Sequence, residues 1–539
     1  MPAYGDWTSP VSLRIELFPR GPTEVVVGQG ICLLVGESNR GPADEAVGMS
    51  SKVMADRLYH SGDLKEAIET AFNQGCSVVY AYRVLGDGNA KASCDLTDGV
   101  AVPNSVGTVY ARSEGAWGNG LTMKIENHTY DSTDYEVFLG DGTVGPYDLE
   151  VWNLVESSNN YVKVNGSAKT IVYSVGDLAP DKVFVDKIEG TITFYTDDAP
   201  EATDQIIVSV RYKTLKITLA DGTDTVTLYN VRDQVDMEAK FLTTTIARYE
   251  PVDDETHLPQ TGSYSFSGGS DGAAITTDDW EDALENAVAH ITPQTVAITS
   301  NEVSPGTYDL IGVLDGFLVD MASDYKPCLG FVGVEPNESV GDLLDLAGAY
   351  DNMLLSIVAN PWGSTLPRQN FAVGRAAQEA AAALGEACPR IAIHGAEGEG
   401  LLNEFSKPDM VTLDGGRLDV LEKKVGIKSF HGINTSATSQ FKRCVDVRTI
   451  NWCMLMIKTI TDEWYFRKNT LRNRAALEAS FKSQLEDLVR REIIYDNYTC
   501  SVWADTDAAP NKVYIDMGVQ PVGHMEIFQT RLEIGPDTE

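Results

Sequence analysis

Two stretches of this sequence have residue types at spacings that could do chemistry. The first is "GICLLVGESNRGP", Gly30 to Pro42, where an apolar run feeds a loop with glycines five apart at Gly36 and Gly41. A phosphate-binding loop of G-x-x-x-x-G-K-[ST] form shares that spacing, but it needs a lysine for the β- and γ-phosphates and a hydroxyl for Mg²⁺. Pro42 and Ala43 occupy those two places, and Pro42 has no backbone N–H to offer a phosphate. The stretch reads instead as a strand leaving a sheet through a turn shaped by glycine and proline. The second is "SFSGGSDGAAI", in which Gly268, Gly269, Ser270, Asp271 and Gly272 fit G-x-S-x-G, the nucleophile elbow of α/β-hydrolases. An elbow serine sits directly between a strand and a helix, so that the next backbone N–H serves the oxyanion hole. Here the helix signal starts only near Thr277 to Asp279, and the downstream histidines, His290, His394, His431 and His524, carry no local signature of a base. A serine hydrolase using Ser270 stands as an alternative reading.

The remaining candidates are weaker. The eight cysteines are scattered with no C-x-x-C pair, several within apolar runs such as "GICLLV" and "NWCMLMI", where a thiol packs as a small hydrophobe. The seven histidines form neither H-x-x-x-H nor H-E-x-x-H. Acidic loops such as "DSTDYE" and "ADTDAAPN" do not match the spaced ligand pattern of a calcium loop. We expect no catalytic residues, no metal and no cofactor.

The formal net charge of −37 argues against a general binder of nucleic acid or anionic membrane, since both recruit lysine and arginine. No apolar run approaches the roughly 18 residues of a membrane span, and "MPAYGDWTSPVSLRIELFPR" has neither the basic start nor the apolar block of a secretion signal. Synthesis in a cytoplasm is the expectation, with no nucleic-acid partner and no membrane insertion. One basic island interrupts the acidity: Arg467, Lys468, Arg472 and Arg474, ahead of a helical stripe of Ala475, Ala476, Leu477, Phe481, Leu485 and Leu488. It could face an acidic partner or be an ordinary solvated patch.

The elements that would position these residues follow a strand–helix rhythm. In "SGDLKEAIETAFNQGCSVVYAYRV", Asp63 and Glu66 have capping-box spacing, Leu64, Ala67, Ile68, Ala71 and Phe72 make one stripe, and Gly75 suits the residue after the helix. Val78 to Val84 then reads as a buried strand. From about His128 to Gln260 the texture changes to short alternating runs, among them "TITFYT", "QIIVSVRYKTLKITL" and "DTVTLYN", with Asp141-Gly142 and Asp221-Gly222 as turns. From Asp278 the α/β rhythm resumes through "DDWEDALENAVAH", "TVAITS", "YDLIGVLDGFLVDM", "CLGFVGV", "SVGDLLDLAGAY" and "MLLSIVAN". Both termini alternate as strands with no evident local partner: Val11, Leu13, Ile15 and Leu17 at one end, and at the other Val513, Ile515, Met517 and Val519, then Phe528, Thr530, Leu532 and Ile534. Such strands either close their own sheet or extend a neighbour's.

Several stretches together resemble the contractile tail sheath proteins of myophages and related contractile injection systems. "GICLLVGESNRGP" followed by "AIETAFNQGCSVVYAYRV" is similar to the sheath pattern of strand, Gly-Pro turn, helix and a strand ending in Arg-Val. In "ARSEGAWGNGLTMKI", Gly115, Trp117, Gly118 and Asn119 match the family's G-x-W-G-N signature, and "FSGGSDG" resembles its Gly-Gly-x-Asp-Gly segment, which weakens the elbow reading. Arg448 and Thr449 in "DVRTINW" resemble its Arg-Thr element, and "VYIDMGVQPVGHMEIFQTRLEI" its closing strand and arm. The resemblance implies an α/β core (three-layer, mixed sheet) with an inserted β-rich domain and extended N- and C-terminal strand arms. It divides the chain into an arm at 1–24, core at 25–127, insertion at 128–260, core at 261–512, and closing strand with arm at 513–539. It implies a structural subunit, not an enzyme, that forms a helical contractile cylinder with itself around an inner tail tube protein, with baseplate and tail terminator proteins as further partners. The particle would be a virion tail or an extracellular contractile device. Val11, Leu13, Ile15, Leu17, Phe528, Leu532 and Ile534 would lie in intersubunit strands, and Arg467, Lys468, Arg472 and Arg474 would face the tube. A baseplate or tube protein is a related alternative.

Overall fold

A computed structural model describes residues 30–523, apart from 44, 99–103, 132–135, 150–153, 188, 253–257, 301–308, 365–369, 397–398 and 505–511. The expected intersubunit strands at Val11 to Leu17 and Phe528 to Ile534 lie outside the described residues.

The chain is a mixed α/β protein. Its central sheet has six strands in the order Val47–Met49, Val78–Arg83, Ile31–Gly36, Thr295–Ile298, Leu329–Gly333, Leu355–Val358; the first pair is antiparallel and the rest parallel. Thr295–Ile298, Leu329–Gly333 and Leu355–Val358 are buried at every position, which is why they read as mostly apolar runs. The helices Asp63–Asn73, Thr277–Ala287, Leu310–Ser323 and Phe371–Ala381 pack against this sheet. Thr295 Oγ1 donates to Ala376 O at 3.0 Å, whereas the Cα of Gly330 abuts Leu314 and Leu318 so closely that a Cβ there would lie 2.5 Å from Leu318. Asp63 opens its helix but does not cap it. Gly62 is the N-cap residue and no side chain caps the end. The helices Thr277–Ala287 and Val340–Gly348 have side-chain caps, with Thr276 and Asp279 forming a reciprocal box and Ser339 accepting from Asp342 N–H.

The β-rich part has two separate cores. One gathers Leu96, Val109, Met123, Ile217 and Tyr249 from strands between Ser93 and Ser265, with Ala92 just ahead of them and Phe241 from the helix Gln234–Leu242. Within it, Thr122–Asp131 pairs with Arg211–Ala220 along ten antiparallel positions, and the chain between those strands forms a second, seven-stranded sheet around Val162, Val183, Ile192, Phe194 and Ile206. The run "QIIVSVRYKTLKITL" is therefore not one strand: Gln205–Ser209 belongs to the inner sheet and Arg211–Ala220 to the outer one.

The last described part is a helical hairpin, Cys444–Trp464 and Leu471–Arg490, packed with a two-stranded ribbon around Met456, Phe481, Leu485 and Leu488. The ribbon corrects one expectation. The strand over Val513 to Val519 has a local partner, since Tyr514–Gly518 pairs antiparallel with Thr499–Trp503. The alternation identified the strand, but the intervening residues masked how near its partner lies in sequence.

Candidate functional site

Four motifs spread over more than two hundred residues meet at one junction between the central sheet and the outer β core. Its centre is Arg83, the arginine that ends the strand Val78–Arg83 and is 1% exposed. Its Nε donates to Ser38 O at 2.7 Å, and its Nη1 donates to Gly41 O at 3.1 Å and Glu114 O at 2.8 Å. One guanidinium thus ties the Gly36–Pro42 turn to the chain entering Gly115. Burial lowers the Arg83 pKa, an effect that the charges of Asp271 and Glu114 oppose.

The "GAWGNG" stretch forms a 3₁₀ turn over Ala116–Gly120. Asn119 and Gly269 exchange two hydrogen bonds, Nδ2 to Gly269 O at 2.8 Å and Gly269 N to Oδ1 at 2.9 Å, and Ala116 N donates to Asp271 Oδ1 at 3.1 Å. Gly118 is a glycine because a Cβ would lie 2.8 Å from Ala92 Cβ and 2.9 Å from Ala111 Cβ. At Gly272, φ is +88° and a Cβ would fall 2.1 Å from Gly86 O, so two backbones cross there with no room for a side chain. Trp117 donates through Nε1 to Glu114 O at 3.1 Å, and the Arg40 guanidinium sits 5.6 Å from its ring centroid. Arg40 also bonds Asp221 Oδ2 at 2.6 Å, joining the Gly36–Pro42 turn to the Asp221-Gly222 turn. Burial pushes the Asp221 carboxyl up, but the N–H groups of Asp224 and Thr223, the Thr223 hydroxyl and Arg40 outweigh it and hold the pKa at about 2.

This geometry bears on both chemical readings of the motifs. The oxygens of the Gly36–Pro42 turn accept from Arg83, and its Gly41 N–H donates to Ser113 Oγ at 3.1 Å. Ser270 exchanges backbone hydrogen bonds with Ala90, and its hydroxyl accepts from Gly272 N–H at 3.0 Å. It lies in a bridge between loops, seven residues before the helix Thr277–Ala287. Among the described residues no group of His, Cys, Asp and Glu could hold a metal, and no helix is long and apolar enough to cross a membrane.

Arg448 and Thr449 belong to a different place, the first half of the helix Cys444–Trp464. Arg448 is 2% exposed and donates through Nη1 to Glu379 Oε2 at 2.8 Å and through Nη2 to Ala383 O at 2.6 Å. Glu379 Oε1 is 2.9 Å from Arg375 Nη2, and Arg375 Nε is 3.0 Å from Asp419 Oδ2. Ser429 Oγ completes the chain by donating to Asp419. Two arginines and two carboxylates are thus buried as a neutral relay linking the helical hairpin to the central core. Burial opposes the Arg375 charge, yet Asp419 and Glu379 raise its pKa above the ordinary arginine range. Sequence reading found Arg448 but missed Arg375, Glu379 and Asp419. The available signal was an Arg and a Glu four apart inside the apolar "FAVGRAAQEAAA". Thr449 Oγ1 donates back to Val445 O at 3.3 Å, within its own helix.

The basic island spans the turn after Cys444–Trp464, with Arg467 and Lys468, and the first turn of Leu471–Arg490, with Arg472 and Arg474. Arg467, Lys468 and Arg472 are exposed, and Arg474 is half-buried with Nη1 on Asn469 Oδ1 at 2.7 Å. Three apolar residues share the tip: Tyr465, Leu471 and a fully exposed Phe466 at φ +61°. Arg467 stacks over Trp464 at 4.2 Å. The tip carries apolar surface as well as charge.

Residues 436–535, which include Arg448, Thr449 and this tip, match the family of phage tail sheath C-terminal domains. A sheath tail protein from Desulfitobacterium hafniense has a similar structure, at 13% identity and a TM-score of 0.54, over 95% of this chain and 100% of that one. One from Listeria innocua aligns at 14% identity and a TM-score of 0.54, over 92% and 96% of the two chains. No curated protein matches the sequence.

Proposed function

We propose that this chain, which carries a phage tail sheath C-terminal domain on the fold of sheath tail proteins, is a structural subunit that polymerises into a helical contractile cylinder around an inner tail tube and drives that tube through a host envelope. The observation that carries the reading is the match over 436–535 on a fold shared along nearly the whole chain. The role is mechanical and not enzymatic, and it calls for no cofactor. Identical subunits related by a non-closing rotation make an open helix. Contraction is then a lattice transition in which subunits held in a metastable arrangement turn and rebuild larger interfaces.

Within this reading the core has three layers. Thr295 pairs with Leu329 and Val296 with Gly330, so Thr295 and Gly330 point to opposite faces by strand alternation; one contacts the helix Phe371–Ala381 and the other the helix Leu310–Ser323. We assign an arm to 1–24, core to 25–127 and 261–512, a β-rich insertion around 128–260, and a closing strand with arm to 513–539. The pairing of Thr122–Asp131 with Arg211–Ala220 favours treating the chain between them as a unit nested within that insertion. Val11, Leu13, Ile15 and Leu17, with Phe528, Leu532 and Ile534, are assigned to strands added to neighbouring subunits. The basic tip is assigned to the inner tube, and the lattice ends to baseplate and tail terminator proteins. The junction of Gly36, Gly41, Pro42, Gly115, Trp117, Gly118, Asn119, Gly268, Gly269, Asp271 and Gly272 serves to fix the β-rich part on the core.

Negative-stain microscopy of the purified full-length chain tests the reading. Striated hollow cylinders are the expected result; a chain that stays monomeric, or forms only thin unstriated tubes or single rings, overturns it in favour of a baseplate or tube role.

A further inference from the structure

The helices Thr277–Ala287 and Leu310–Ser323 lie side by side and leave a groove of about 530 Å³ between them. Its floor is apolar, built from Val288, Val313, Phe317 and Met321. Its rim is acidic: Glu281, Glu285, Asp320 and Asp324 are all exposed, and among the described residues none of the four forms an ion pair. Gly312 and Gly316, one helical turn apart, line it too. A Cβ on Gly316 would meet nothing within 4 Å, so nothing in its own chain requires that glycine. Carboxylates crowded around an apolar floor repel one another, and a basic projection with an apolar apex relieves both the repulsion and the exposure.

The chain supplies such a projection elsewhere. The hairpin Leu421–Lys424 and Gly426–Ser429 turns at Val425, which is 86% exposed, with Lys423 and Lys424 exposed beside it and Lys428 on its stem. Its root is rigid. Leu421, Ile427 and Ser429 are buried, and Ser429 bonds Asp419, which Arg375 holds from the helix Phe371–Ala381. Ordering this hairpin on a partner therefore costs little conformational entropy.

Hairpin and groove belong to different faces of the same core. The groove is formed by the Leu310–Ser323 helix that touches Gly330, while the hairpin is anchored to the Phe371–Ala381 helix that touches Thr295. We infer that the hairpin of one copy seats in the Thr277–Ala287/Leu310–Ser323 groove of the next, with Val425 on the apolar floor and Lys423, Lys424 and Lys428 on the acidic rim. A contact between two different patches of identical subunits is heterologous and propagates, as an open helix requires. The inference rests on the sheath reading and names one of the surfaces through which the lattice is built.

The test uses the full-length chain carrying Val425→Cys together with Gly316→Cys, assembled and then oxidised. The eight native cysteines are buried, which leaves the introduced pair as the exposed thiols. On a non-reducing gel the double variant gives a ladder of covalent multimers, at least tenfold more than either single variant. Cylinders that form normally but yield only monomer on the gel overturn the inference and leave the sheath reading standing; a wild-type chain that forms no cylinders overturns both. A second arm reverses charge: Lys423→Glu, Lys424→Glu and Lys428→Glu together lower the assembled fraction, and adding Glu281→Lys, Glu285→Lys, Asp320→Lys and Asp324→Lys to the same chain restores it. Folded variants in which the second set brings no restoration count against the contact.

Discussion

Arginine does opposite work at the two ends of one helix. Arg448, in the first half of Cys444–Trp464, is 2% exposed and donates to Glu379 and three carbonyls. Arg467, just past the far end of the same helix, lies in solvent over the face of Trp464. The buried guanidinium has lost its water and depends on its carboxylate, whereas the exposed one keeps its hydration and is available to a partner. Between these limits stands Arg40, buried itself but paired with Asp221 in a surface turn. Depth separates charges that hold this subunit together from charges that it can present to others.

The largest effect is expected at the buried end. Glu379→Ala leaves Arg375 and Arg448 buried without the carboxylate between them, and removing one partner of a buried pair costs about 3–5 kcal/mol. Denaturant unfolding, followed by a probe in the central core, should show that loss or an insoluble chain. A change below 1 kcal/mol would mean that water reaches the relay, and the contrast with the tip would fail.

An intermediate effect is expected at Asp221. Its folded pKa of about 2 lies below the ordinary 3.8, so the ionised carboxylate, held by the N–H groups of Asp224 and Thr223, the Thr223 hydroxyl and Arg40, stabilises the fold above pH 3.8, and that contribution disappears as pH falls through about 2. Asp221→Asn should cost about 1–2 kcal/mol at neutral pH after allowing for solvent screening, and the gap between variant and wild type should close in acid. A gap independent of pH would show that shape, and not charge, holds the two turns together.

The smallest effect on stability is expected at the tip. Reversing Arg467, Lys468 or Arg472 to Glu should in each case leave unfolding within about 0.5 kcal/mol of wild type, as for other surface substitutions. The consequence should appear in assembly: fewer extended, tube-filled particles, less so at high salt, where such contacts are screened. Because Phe466 and Leu471 share the tip, Phe466→Ser should produce a loss that salt does not relieve. Unchanged particle counts at every salt concentration would return the island to ordinary solvated surface.

Local pattern determined much of this protein. The runs "TVAITS", "CLGFVGV" and "MLLSIVAN" are mostly apolar because their strands are buried at every position, and the stripe at Leu64, Ala67, Ile68 and Ala71 is the buried face of its helix. The Asp221-Gly222 turn and the basic island were equally legible, since both depend on neighbours in sequence. Tertiary structure alone decided which distant pieces share a site. "QIIVSVRYKTLKITL" reads as one continuous β-type run yet changes sheets at Val210, because such a pattern records that a face is buried and not against what. The Arg448–Glu379–Arg375–Asp419 relay left only the Arg375–Glu379 spacing and Arg448 in the sequence, for the same reason. Each charge in it is tolerable only beside the others, and the fold that brings 375, 379, 419 and 448 together is a property of packing that no local window contains.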